Sequence, residues 1–146
     1  MIEFQVHGKP KPGGSKKAFY IKKLNRTVVT EACKNQDWKN AVAAAGIQAM
    51  QDHKIFDEPL DVQFLFRFDR PKSHFGTGKN AKKLKPSAPE YPAVRPDTTK
   101  LIRSTEDALT GIVWKDDSLI VFQHGTKGYT NAFYPHEGAE INVLTI

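Results

Sequence analysis

The sequence predicts an α+β fold: a single domain over residues 1–146, with a mixed β-sheet and two main helices packed on it. Three observations predict it. Residues 60–68 alternate as a half-buried strand does, with Leu60, Val62, Phe64, Phe66 and Phe68 to one side and Asp61, Gln63, Arg67 and Asp69 to the other, Leu65 excepted. Two stretches, 34–53 and 98–109, carry apolar residues at helical spacing. Strand and helix patterns are mixed rather than strictly alternating, which favours a mixed sheet over a wholly parallel one. A chain of 146 residues is long enough to bury one core without disulfide or metal staples.

The elements follow in order. Ile2, Phe4 and Val6 alternate with Glu3, Gln5 and His7, giving a first strand. Residues 8–14 are a glycine- and proline-rich loop. Residues 19–21 and 27–30 flank Leu24-Asn25-Arg26 as a hairpin with a basic tip. The helix at 34–53 presents Trp38, Ala41, Val42, Ala45 and Ala49 as its stripe. After the strand at 60–68, residues 71–94 hold Pro71, Pro86, Pro89 and Pro92 among five lysines with little apolar content. They read as a long, flexible basic loop; such loops inside compact domains are uncommon and often functional. The helix at 98–109 should stop at Gly111. Residues 119–123 and 139–144 are the last strands.

Charge and composition narrow the function. The chain has 22 Lys+Arg against 16 Asp+Glu, a net charge of +6. The excess is concentrated: residues 8–26 contain Lys9, Lys11, Lys16, Lys17, Lys22, Lys23 and Arg26 and no acid. Such a segment attracts polyanions by neutralising phosphates, whatever the base sequence; a solvated basic surface would show the same composition. The one cysteine, Cys33, cannot form an internal disulfide and reads as a small buried residue. The N-terminus lacks the basic start and apolar run of a signal peptide. No apolar run approaches the roughly 18 residues of a membrane span. A cytoplasmic protein with no membrane partner is expected.

Two motif classes fail on inspection. Residues 8–16 follow a strand and weakly resemble a phosphate-binding loop, but the order Gly13-Gly14-Ser15-Lys16 is wrong, strand-like residues follow, and two prolines remove amides that would cradle phosphate. The histidines His7, His53, His74, His124 and His136 show no zinc-ligand spacing.

The stretch 95–120 is the stronger candidate. On a helix, Leu101, Thr105, Ala108 and Leu109 share the face that packs on the sheet. Lys100, Arg103 and Asp107 lie on the other side, towards the turn that carries Asp97. Asp116 and Asp117 precede a strand. If helix and strand pack together, carboxylates from two distant segments can meet. Magnesium prefers a few carboxylates and keeps several waters, and Arg103 matches phosphate geometry. The residues alone equally admit a helix-capping Asp97, a polar turn at Asp116-Asp117 and a surface pair at Arg103 and Asp107.

At these residues the chain resembles the RusA-type Holliday junction resolvases. Their signature runs Pro-Asp-x-Asp-Asn-Leu-x-Lys-x-x-x-Asp-Ala-Leu-x-Gly, then an aromatic residue, one residue, Asp-Asp and a strand. Pro96, Asp97, Leu101, Asp107, Ala108, Leu109, Gly111, Trp114, Asp116 and Asp117 match it. The resemblance implies a RusA-like homodimer that binds four-way DNA junctions and makes paired symmetric nicks in recombination and repair, using magnesium or, in its place, manganese; the family is often encoded by phages. It implies Asp97 and Asp117 as metal-binding carboxylates that also serve catalysis, Asp116 as a further metal-side acid, Asp107 as a supporting catalytic acid, and Arg103 where the family has a catalytic lysine. Lys9, Lys11, Lys16, Lys17, Lys22, Lys23, Arg26, Lys79 and Lys100 become the expected DNA contacts. Two departures stand out: Thr99 replaces a family aspartate, and Lys100 replaces an asparagine. Loss of that carboxylate weakens metal binding unless Asp107, Asp116 or Glu106 compensates. The alternative is a catalytically weak or inactive module that binds branched DNA, and the acids alone would also suit a phosphatase or nucleotide hydrolase.

Overall fold

In a computed structural model of the chain, residues 1–146 are described except Ser15, Ala32 and Cys33. The expectation for Cys33 therefore lies outside the described residues. The main sheet has four strands in the order β1-β6-β4-β5. These are β1 (Ile2–His7), β4 (Leu60–Phe68), β5 (Ile120–Tyr129) and β6 (Gly138–Thr145). β6 pairs antiparallel with both β1 and β4, whereas β5 runs parallel to β4. A separate hairpin is made of β2 (Lys16–Ile21) and β3 (Arg26–Glu31). Helices α1 (Gln36–Ala49) and α2 (Thr98–Leu109) complete a mixed-sheet α+β domain.

The alternation in β4 does what period 2 demands. Leu60, Val62, Phe64 and Phe66 are buried with Ile141 and Val143 of β6, and Trp38, Leu101, Leu109, Val113 and Trp114 cover them. Arg67 departs from the outward, solvated position its alternation implied: it is buried. Its guanidinium lies 3.1 Å from Glu140 and 3.7 Å from the centroid of the Tyr134 ring. A charge leaves water only where it is paired, and these two contacts pair it.

The two helices pack closely. Trp38 Nε1 donates to Thr105 Oγ1 at 3.1 Å, joining α1 to α2 across the core. Helix α1 is shorter at both ends than 34–53. Asn35 is buried and its side chain donates to the Pro12 carbonyl at 3.0 Å instead of capping the helix. After Ala49 the polar residues Gln51, Asp52 and His53 offer nothing to the core, and the chain turns, with His53 N–H on the Met50 carbonyl. Helix α2 ends as expected, with Gly111 at φ 83° just beyond it.

Strand β5 extends to Tyr129, well past 119–123. Of the added residues, Gly125, Lys127 and Gly128 have little strand propensity of their own; the ladder of β4 supplies their partners. Residues 71–94 contain two 3-10 turns and a local bridge between Phe75 and Leu84. No helix among the described residues is long and apolar enough to cross a membrane.

At Gly138 only glycine fits. Its φ is 154°, and a Cβ there would stand 1.8 Å from the Val6 carbonyl oxygen, a backbone atom fixed in the β1–β6 ladder. Gly138→Ala is expected to lower stability by about 2–4 kcal/mol. Urea unfolding should show a lower midpoint at unchanged slope; an unchanged midpoint would mean that the strands separate here without cost.

Candidate active site

Helix α2 lies along β5 and runs against it. A Cβ at Gly125 would stand 2.6 Å from Ile102 Cδ1 and 2.7 Å from Thr98 Cγ2, so the start of the helix sits directly on the strand. Further along the helix, Glu106 accepts from Gln123 Nε2, and at its end Thr110 Oγ1 donates to Asp117 Oδ1. Asp97 therefore stands at one end of α2 and Asp117 at the other. With 1.5 Å per residue, the axial separation of residues 97 and 110 is about 20 Å.

The Asp97 end is basic in its surroundings. The Asp97 side chain makes no capping bond; Lys100 Nζ lies 3.6 Å from it. Lys127 Nζ donates to the carbonyls of Val94 at 2.7 Å and Pro96 at 3.0 Å, which ties the segment before Asp97 to β5. A carboxylate here also faces the positive end of the helix dipole.

The Asp117 end is acidic. Asp117 is held by two donors on one oxygen, Thr110 Oγ1 and Trp114 Nε1, the latter at 2.9 Å. Trp114 is fully buried, so this carboxylate is anchored to the core. Burial, with the charge of Asp117 next in size, raises the Glu106 carboxyl from 4.5 to about 7; the Gln123 bond opposes the shift, Asp107 adds to it and Arg103 offsets part of it. Asp107 is also 3.9 Å from Lys39. The exposed Asp116 accepts from the Ser118 amide at 2.9 Å, and the Ser118 hydroxyl first, then this amide, lower its pKa. Its Oδ1 thus holds the turn that begins β5.

Arg103 lies between the two ends on the exposed face of α2. A Cβ at Gly14 would stand 2.6 Å from Arg103 Cδ, so the loop that enters β2 passes directly over this side chain. That loop is fixed to α2: Gly13 N–H donates to the Lys100 carbonyl at 2.9 Å, and Ser104 Oγ donates to the Lys11 carbonyl at 2.5 Å. The basic hairpin with Lys17, Lys22, Lys23 and Arg26 therefore starts beside Arg103, and these four residues are exposed, as are Lys9, Lys16, Lys79 and Lys100. Lys11 lies 3.8 Å from Asp37.

The structure thus joins Asp117, Glu106 and Asp107 at one end, sets Arg103 midway along the helix and leaves Asp97 at the other end. Asp97 does not meet Asp116 or Asp117 within one chain. Among the described residues no group of three or more His, Cys, Asp and Glu is placed to hold a metal ion. The sequence offers Glu106 only as a substitute for the aspartate absent at residue 99. Its spacing from Arg103 and Thr110, three and four residues along the helix, was the signal that it shares their face.

Glu106 sets a pH dependence. It holds its proton more tightly in the fold than in the unfolded chain, so the native state is favoured below about 4.5 and loses that advantage as pH rises towards about 7. Glu106→Gln keeps the acceptor for Gln123 and cannot ionise. Without divalent metal, the variant should match the native protein near pH 4 and exceed it at pH 8 by about 1–2 kcal/mol, a figure reduced for solvent screening at this partly exposed position. Thermal melts at the two pH values check this, and an equal difference at both would contradict it.

No curated protein matched the chain. The family described as endodeoxyribonuclease RusA matched residues 7–143, a span that contains β4, α2, β5 and Asp97, Glu106, Asp107, Asp116 and Asp117. The chain belongs to the RusA endodeoxyribonuclease family.

Proposed function

We propose that this protein is a magnesium-dependent, homodimeric resolvase that cuts four-way DNA junctions by paired symmetric nicks. The observation that carries the reading is the Asp117–Glu106 pair in a chain of this family. Burial first, and the charge of Asp117 next, raise the Glu106 carboxyl to about 7, and a divalent cation would relieve the repulsive part of that cost. Asp117 is exposed, and Thr110 and the buried Trp114 orient it through one oxygen, Oδ1. We assign the metal to Asp117 and Asp97, with Glu106 supplying the carboxylate absent at Thr99; Asp116 keeps to its turn. Bound there, magnesium, or manganese in its place, supplies a Lewis acid for the phosphate and a more acidic water. Arg103 sets its guanidinium against the phosphate and offsets charge that builds on it. Lys100 and the basic hairpin hold the flanking phosphates.

Asp97 and Asp117 are too far apart to share an ion within one chain, and a second copy answers this. β5 is a free edge of the sheet, with Val121 59% and Phe122 53% exposed. Edges of this kind are usually covered. A partner packed with its α2 antiparallel to the first would set its Asp117 end beside Asp97, and two-fold symmetry would make two such sites. Two sites match the two symmetric cuts that a junction needs.

The test is incubation with an end-labelled four-way junction and magnesium. Paired nicks near the branch support the reading. Thr99 favours a second reading, a binding module without activity; junction binding with no nicking under any divalent metal would select it.

A further inference from the structure

The loop at 71–94 and the far end of β5 enclose a groove that the cleavage chemistry leaves unused. Its volume is about 570 Å³, and Arg70, Phe75, Lys82, Tyr91 and Tyr129 are among its lining. That volume lies within the roughly 300–1,000 Å³ of small-molecule sites. The loop is shaped to form it. Gly76 N–H donates to the Lys83 carbonyl at 3.0 Å and Lys85 N–H to the His74 carbonyl at 2.9 Å, which sets Phe75 opposite Leu84. Arg70 is built into the floor: its guanidinium lies 4.2 Å from the centroid of the Tyr129 ring, and it donates to the Pro89 carbonyl at 2.7 Å. Tyr91, also in the lining, is 62% exposed.

Aromatic faces interleaved with cations suit one kind of ligand. The charged groups of the lining are Arg70, Lys82 and Glu90, and the same segment adds Lys72, Lys79, Lys83 and Lys85 around it, so the surroundings favour an anionic occupant. An exposed tyrosine ring and a fixed guanidinium plane both stack on flat heterocycles. Position narrows it further. Tyr129 is two residues beyond Lys127 on the same face of β5, about 7 Å away, and Lys127 is the residue bonded to the carbonyls just before Asp97. The groove therefore adjoins the Asp97 end of α2.

We propose that this groove receives a single unstacked nucleobase of the bound DNA strand, stacked on Tyr91, with its phosphate towards Lys82 and Arg70. This rests on the reading of the protein as a DNA-cutting enzyme. A branch point supplies such bases, because stacking is interrupted there.

The test uses a four-way junction with 2-aminopurine in place of a base beside the branch, without divalent metal. Binding of the native protein should quench the fluorescence through stacking. Tyr91→Ala should lose the quench and bind about 5- to 100-fold more weakly. Tyr91→Phe should retain both, since stacking needs the ring and not the hydroxyl. The exposed position of Tyr91 means that the melting temperature should not move. Wild-type affinity and quench in Tyr91→Ala would overturn the proposal and leave the groove to a peptide ligand. A native protein that binds no junction at all would overturn the DNA reading itself, an outcome distinct from the first.

Discussion

Asp117→Asn is expected to abolish junction cleavage while junction binding persists. The reason lies in how the carboxylate is held. Oδ1 accepts from Thr110 Oγ1 and Trp114 Nε1, and asparagine keeps that oxygen, so the anchoring to the core survives the substitution. What is lost is the carboxylate charge and with it the ability to bind a divalent cation there. The rate should fall by more than about 10²-fold, beyond what altering a mere supporting partner of a metal ligand costs. Gel-shift affinity without metal should change little, because it depends on the basic hairpin and Lys100. The variant should also return the Glu106 carboxyl part of the way towards its ordinary value, since the charge of Asp117 is second only to burial in raising it. Cleavage at the native rate would remove Asp117 from the metal site.

Mixing two inactive variants should restore cutting. Asp97→Asn and Asp117→Asn each remove one half of every site. If each site takes Asp97 from one chain and Asp117 from the other, a mixed dimer contains one site with both halves altered and one fully native. After subunit exchange about half of the dimers are mixed, and about a quarter of the native number of sites is regained. The product should consist of single nicks, because the second cut has no live site. A mixture that stays inactive, with exchange verified by differently tagged chains, would place the complete site in one chain. The large effect follows from distance: with about 20 Å of helix between residues 97 and 110, no side-chain movement bridges the halves.

Much of this was legible in the residues. The period-2 run in β4 and the helical stripes report burial directly, because a side chain's face is set by the local repeat. The acidic motif is legible for a different reason: chemistry needs particular groups at particular spacings, and ten matches at fixed intervals identify the family that residues 7–143 confirm. Elements whose partners are distant in sequence were read less well. The outer half of β5 is a strand because β4 lies beside it, and Arg67 is buried because Glu140 and Tyr134 come to it from 73 and 67 residues away.

By itself, then, the sequence determined a basic α+β domain with two sheet-packed helices, the RusA motif and its missing carboxylate at Thr99. Only the tertiary structure decided which acids stand together. Spacing along the chain suggested that Asp97 would meet Asp116 and Asp117. The antiparallel run of α2 on β5 instead joins Asp117 to Glu106 and sends Asp97 to the opposite end. The direction in which a helix crosses its strand comes from how the whole core packs, and no local pattern of residues encodes it.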